Sequence, residues 1–295
     1  MKPAVLFILI GLILIGTGEL VAQGLPAPAS KSYLRNANAQ NYLSPFVDLV
    51  GASLHSMNFS YHHPDSNKKF HLHLGVSVAA SIVTDPMKTF TGVTEAPFTP
   101  EASVEVPTIF GKNESLTAYD KNGTGYSFPG GFGINQVNLL IPQLQVGTLF
   151  HTNFSGKFVA LDVGGELKRI EMYGFGINHF ISDYWHAHKY FVSVGGQYDA
   201  FNLGEYLEGR NWLAQASVGR QVKRFNCWSY LQYQKASYDF HYTDDEEGDG
   251  FVTIKGKNNV RFGIGGSVRL AFIKIQAEAS ILHPIMVNLG LGIQF

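Results

Sequence analysis

Several side chains in this sequence have types and spacings that could do chemistry, and each has a simpler role to weigh against it. His71 and His73 lie two apart, which puts both imidazoles on one face of a strand. A metal would need a third ligand such as His55, His62 or His63; polar lumen residues are the plainer reading. His186 and His188 flank Ala187 next to Trp185, where an interfacial anchor suffices. Asp244, Asp245, Glu246, Glu247 and Asp249 could gather a divalent cation, but they depart from the EF-hand spacing, and a solvated loop is the default. Asn178, His179 and Ser182 are the residue types of a lipid hydrolase on a barrel wall. Alternation, however, sets His179 opposite the other two, and no nucleophile elbow accompanies them. The sequence therefore reads as a non-enzyme, with no cofactor and no metal. Arg261, Arg269, Lys274 and Glu278 carry the most information. All four project from the polar faces of neighbouring alternating segments. In a lumen they would form a charge ladder that orients a solute, or a network that fills a narrow barrel.

The elements that position these residues follow from period-two patterning. In the last segment Ile285, Val287, Leu289, Leu291, Ile293 and Phe295 oppose Met286, Asn288, Gly290, Gly292 and Gln294. The one before sets Ile273, Ile275, Ala277, Ala279 and Ile281 against Lys274, Gln276, Glu278 and Ser280. Leu72, Leu74, Val76 and Val78 likewise oppose His71, His73 and Ser77. Such alternation marks strands with one apolar face. The segments run near the 9–11 residues that cross a bilayer at a tilt, longer than the ~5–6 of soluble sheets. Their polar faces are rich in Gly, Ser, Gln and Asn, which suits a lumen better than a soluble exterior. The fold class is all-β, a transmembrane antiparallel β-barrel. On 227–242, Trp228 and Tyr230 at one end and Tyr238, Phe240 and Tyr242 at the other stand where lipid-facing girdles would lie, with Gln232 and Gln234 between them. Either that strand faces shielded lipid, or a bulge changes its phase.

Composition agrees. Of 295 residues only 15% are charged, against ~25% in soluble domains, and 32 are Gly. The formal net charge of −1 argues against a nucleic-acid partner. The single Cys227 excludes an internal disulfide. Mean hydropathy is +0.01, far below that of a helical membrane protein. Lys2 and the apolar run 4–15 read as a signal peptide over 1–24, cleaved after Ala22 or Gly24, and 25–45 as a periplasmic leader with one short amphipathic helix. The barrel is expected over 46–295, starting with a β segment at 46–61, and the cell outer membrane is the expected location.

Eleven segments are visible. Single-chain barrels take even strand numbers, so a twelfth is expected inside the Pro- and Gly-rich insert 84–136, at 103–110. The expectation is about 12 strands, within 10–14, with the remaining insert either folded into the lumen as a plug, which its apolar pieces favour, or standing as an extracellular loop. The terminal Phe295, on the lipid side of its strand, is similar to the C-terminal aromatic signal read by the barrel insertion machinery.

The segments YLSPF (42–46), VPTIFG (106–111), FPGGFGIN (128–135), IPQLQVG (141–147) and YGFGINHFI (173–181) carry a resemblance over most of the mature chain. It resembles a family of uncharacterised outer-membrane β-barrels of Gram-negative bacteria, and more distantly the long-chain fatty acid transporter barrels, which have fourteen strands and an N-terminal hatch. The resemblance implies a barrel and, weakly, transport. The functional expectation is passive passage or binding of a small molecule, hydrophobic ones included, in a barrel surrounded by outer-membrane lipid. The alternatives are a sealed structural or interaction barrel that presents loops, and an outer-membrane lipid hydrolase.

Overall fold

Alternating faces produce strands wherever the chain can pair them. The computed structural model describes residues 37–55, 70–95, 98, 100–147, 150–164, 168–185, 190–244, 248–282 and 284–295; the signal peptide expected at 1–24 lies outside them. A helix, α1 (Ala37–His55), comes first, then β1 (His71–Ile82). Four short strands follow, β2 (Thr89–Val93), β3 (Ser103–Pro107), β4 (Leu116–Tyr119) and β5 (Gly125–Phe128). The long strands are β6 (Gln136–Gly147), β7 (Thr152–Gly164), β8 (Lys168–Phe180), β9 (Tyr190–Leu203), β10 (Leu207–Val222) and β11 (Phe225–Asp244). β12 (Gly248–Lys255), β13 (Val260–Leu270), β14 (Ile273–Ser280) and β15 (Ile285–Gln294) complete the chain.

β1, β6 to β11 and β13 to β15 form a closed antiparallel barrel of ten strands among the described residues, closed by β10 on β11 and by β1 on β15. The lower part of β11 pairs with β13 and its upper part with β12. β12 and β13 are thus one return path, interrupted at 256–259. Ten lies within the expected 10–14 and two below its central value of twelve, and both missing strands have a physical reason. The segment at 103–110 does contain β3, but it pairs with β2 in a separate hairpin, and Pro107 cannot donate to a ladder. Of the segment expected as β at 46–61, residues 46–55 are instead the second half of α1, and 56–61 lie outside the described residues.

The described side chains of α1 are buried almost all round, Phe46, Val47, Leu49, Val50 and Leu54 among them. A helix enclosed on every side has no polar stripe, so its sequence lacks the amphipathic period that marks surface helices. Pro45 lies inside it and leaves the Asn41 carbonyl without its usual donor four residues on. Because α1 starts at Ala37, the expected leader boundary at 45 falls inside a helix, and the barrel proper begins at His71. The lumen is filled by α1. The insert folds as the hairpins β2–β3 and β4–β5, which cover the mouth above the helix.

The two rims differ. His71 and Gln294 lie at one, here the terminal rim, with short turns at 223–224 and 271–272. Short turns face the periplasm in outer-membrane barrels, so in such a membrane the opposite rim, which carries the insert between β1 and β6, would be the extracellular one. Outward-facing Leu74, Val76, Val78, Ile275, Leu289 and Leu291 are all exposed, forming an apolar band. β11 keeps one phase throughout. Trp228, Tyr230, Gln232, Gln234, Tyr238 and Phe240 are all buried on the inner side, so the girdle and the bulge expected there are corrected. These aromatics fill the lumen. The alternation score is identical for an inward and an outward aromatic face, which is why the sequence misassigned it.

Candidate functional site

The lumen is layered along its axis. Towards the insert-bearing rim its wall is apolar, with Ile141, Met172, Phe201, Leu203, Leu207 and Met286 buried in one cluster with α1. Phe46 meets Tyr238 and Phe240 edge-on, with ring centroids 6.3 Å apart in both pairs. The insert closes over the start of α1. The Asn38 amide donates to the Val93 carbonyl at 2.8 Å and accepts from the Val93 N–H at 3.0 Å. The Tyr42 hydroxyl donates to Gly130 O at 2.8 Å, and the Ile109 N–H to Tyr42 O at 3.2 Å.

The strand interruption at 256–259 holds the middle of α1. Asp48 Oδ1 accepts the Lys257 N–H at 2.7 Å and the Asn258 N–H at 3.0 Å, while Oδ2 accepts from Asn258 Nδ2 at 2.9 Å. Burial raises the Asp48 carboxyl to about 6, against the pull of these donors and of the Lys257 ammonium. Gln40 pairs like a strand with Lys255, donating to its carbonyl at 2.7 Å and accepting its N–H at 3.1 Å.

The end of α1 is held by wall cations. The last carbonyls of a helix lack intrahelical donors and carry partial negative charge. Arg261 Nη1 donates to Ala52 O at 2.7 Å and Lys157 Nζ to Leu54 O at 2.6 Å. Arg261 Nε also donates to Gln232 Oε1 at 2.6 Å, and Gln232 donates on to Gln215 Oε1 at 2.6 Å. His55 Nε2 lies 3.3 Å from Asp199 Oδ2, and Lys157 Nζ lies 3.9 Å from Asp199 Oδ1. Burial, with Arg261 and Lys157 beside it, holds the His55 imidazole well below its usual range; it is neutral.

Of the four ladder residues, Arg261, Lys274 and Glu278 are buried in the lumen. Arg261, Lys274 and Lys157 act on the Glu278 carboxylate, which also accepts from Gln276 Nε2 at 3.0 Å. Arg269 lies beside Lys274 at the terminal rim and is only partly buried. The partners that give Arg261 its role, the Ala52 carbonyl and Gln232, come from elements far apart in sequence. Asp199, Lys157 and Asp48 were not singled out by sequence reading. A lone Asp on the inner face of β9, between Gln197 and Phe201, was the available signal.

The other candidates are not assembled. His71 and His73 both face inward at the terminal rim, and no group of three His, Cys, Asp or Glu suited to a metal occurs among the described residues. His186, His188, His62, His63 and Asp245–Glu247 lie outside the described residues. Asn178 faces inward, Ser182 is buried in a turn, and His179 faces outward with Nδ1 2.9 Å from Thr152 Oγ1. The Thr152 hydroxyl donates to Phe150 O at 2.8 Å, which leaves His179 as the donor to it. Phe295 is 74% exposed on the outer side of the terminal rim, and its backbone exchanges hydrogen bonds with Leu72 at 2.9 and 3.1 Å.

Below α1 a gap of ≈ 20 Å³ remains, lined by Gln143, Gln145, Asn153 and Asn178 among others. That is about the space of one water.

Fold and site together define an antiparallel β-barrel with an apolar outer band and a lumen stoppered by its own N-terminal helix. Over residues 1–295 the chain belongs to a family of unknown function, DUF6588. No curated protein matches it. Among solved structures it is similar to the outer membrane protease OmpT of Escherichia coli, at 6% identity and a TM-score of 0.34, over 78% of this chain and 97% of that one. It is also similar to the Ralstonia pickettii toluene transporter TbuX, at 10% identity and a TM-score of 0.29, over 84% and 94%. The Pseudomonas putida toluene transporter TodX matches at 10% identity and a TM-score of 0.25, over 82% and 92%. These scores are low, and the barrel is defined by its own strand pairing.

Proposed function

We propose that the protein is an outer-membrane barrel, closed at rest by α1, that binds or passes a small apolar molecule when the helix gives up its place. One observation carries this reading: the extracellular half of the lumen is walled by apolar side chains and occupied by α1, which belongs to no sheet. The lumen of a membrane barrel is ordinarily polar. An apolar chamber filled by a separable helix is a site for which another apolar occupant can compete. The apolar outer band supports placement among outer-membrane lipids, and the exposed Phe295 supports a role as the signal read by the insertion machinery. No catalytic step is part of this reading.

The test is single-channel recording and apolar-dye binding on the reconstituted full chain. Wild type should be nearly silent. Gly51→Leu, which cannot seat the helix, should conduct and bind the dye in its lumen. A variant that unseats α1 yet neither conducts nor binds dye would defeat the reading. The second reading, a sealed barrel that presents its surface to a partner, would then stand. It is favoured by the groove of ≈ 580 Å³ between the two insert hairpins, lined by Asp85, Lys88, Glu105, Lys112 and Glu114 among others.

A further inference from the structure

Basic side chains collect at one place on the terminal rim. Arg220 lies on the outer face of β10, next to last there before Val222, and Lys223 and Arg224 form the two-residue turn between β10 and β11. All three are exposed. Two-residue hairpin turns favour Asn-Gly and similar pairs, because their residues need positive φ. Here Lys223 takes that conformation at φ 54, so a turn that glycine would fill without cost presents two long cations. The Arg220 guanidinium lies 5.2 Å over the Tyr190 ring, which fixes it flat against the outer wall, and Phe225 is exposed beside it. No Asp or Glu occurs in 190–194, 216–228 or 262–274, the rim portions of the adjoining strands. No ion pair of Arg220, Lys223 or Arg224 is found among the described residues.

The geometry points to a binding site for an anionic phospholipid headgroup, formed by Arg220, Lys223 and Arg224 with Tyr190 and Phe225 beneath the acyl chains. The assignment rests on the membrane reading above. At the periplasmic rim the residues stand at headgroup height, where an aromatic ring presents an apolar body to the chains and cations face the phosphate. Guanidinium groups match phosphate oxygens in pairs, and three cations that make no ion pair among the described residues select a net-negative headgroup over a zwitterionic one. An exposed basic patch on a water-soluble partner surface would lack the flanking Tyr190 and Phe225, both of which point into the lipid side.

The experiment is native mass spectrometry of the full chain released from vesicles of equal phosphatidylglycerol and phosphatidylethanolamine. Wild type should retain phosphatidylglycerol several-fold over its share, and Arg220→Gln/Lys223→Gln/Arg224→Gln should retain the two equally. A triple variant of equal charge change at the other rim, Lys88→Gln/Lys112→Gln/Lys121→Gln, should keep the preference. Equal retention by wild type, or a preference that survives the first triple, overturns the site. Inorganic phosphate that displaces the lipid at millimolar concentration would show an unspecific anion patch and overturn it too. Failure of the wild-type chain to insert into vesicles at all would instead count against the membrane reading.

Discussion

Loss of the Arg261 guanidinium would leave the Ala52 carbonyl, Gln232 and part of the Glu278 charge without their donor. Breaking a buried charge network in this way costs about 3–5 kcal/mol, most of it from the groups left behind. Arg261→Met should lower the denaturant midpoint of the barrel accordingly. Arg261→Lys should fall between, because one ammonium cannot serve Ala52 and Gln232 with a fork's geometry. Two titrating groups on α1 oppose each other. Asp48 has its carboxyl raised from 3.8 to about 6, so its contribution to helix docking is full below pH 3.8 and is lost as pH rises through about 6. His55 is held well below 6.5 by burial among Arg261 and Lys157, with Asp199 facing it. Its contribution is full above pH 6.5 and is lost as pH falls. Below about pH 6 the two slopes oppose each other. Asp48→Asn should therefore lose stability on acidification through this window, and His55→Gln should gain it, as read by urea midpoints across pH. A common direction for both variants would refute the pairing.

At the scale of elements, the seating of α1 depends on one close approach. A Cβ at Gly51 would come within 2.9 Å of both Ala236 Cβ and Asn211 Oδ1, so the helix backbone lies directly on β10 and β11 there. Gly51→Leu should cost about 1–3 kcal/mol by overpacking. The cost should appear as faster proteolysis within α1, while the unheated barrel keeps its compact mobility on a gel. How well each element could be read from sequence follows from its surroundings. β13 to β15 face lipid on one side and lumen on the other, so their alternation is written in hydrophobicity and their lumen residues Arg261, Lys274 and Glu278 were legible. α1 is buried almost all round and has a Pro inside, and neither a helical nor a strand period survives that. The phase of β11 was legible but its direction was not, because a lumen packed against a helix wants aromatics as much as lipid does. Asp48 and Asp199 stayed hidden because their partners, Lys257, Asn258, Lys157 and His55, are brought to them only by the closure of the barrel around the plug.

For the molecule as a whole, a mean hydropathy of +0.01 conceals two opposed surfaces, an outer band that is apolar and an inner wall that turns from apolar to charged along its length. The ten-strand closure explains why a helix is needed at all. About eight strands leave an interior that side chains alone can fill, and ten leave a space that here takes a whole α1. The same reasoning fixes which substitutions should be costly. Leu289 faces outward at mid-height, opposite Val78 and Ala277, and is 59% exposed. On a water-soluble barrel an exposed Leu→Arg exchange changes stability by no more than about 0.5 kcal/mol. On a lipid-facing wall at the bilayer midplane it costs about 2–4 kcal/mol. Leu289→Arg should therefore destabilise the barrel by that larger amount when unfolded by urea from lipid vesicles. Tyr119→Arg, at an even more exposed position on the insert hairpin β4–β5, should cost almost nothing. Equal small effects for the two would place the apolar band in water and remove the membrane from the account.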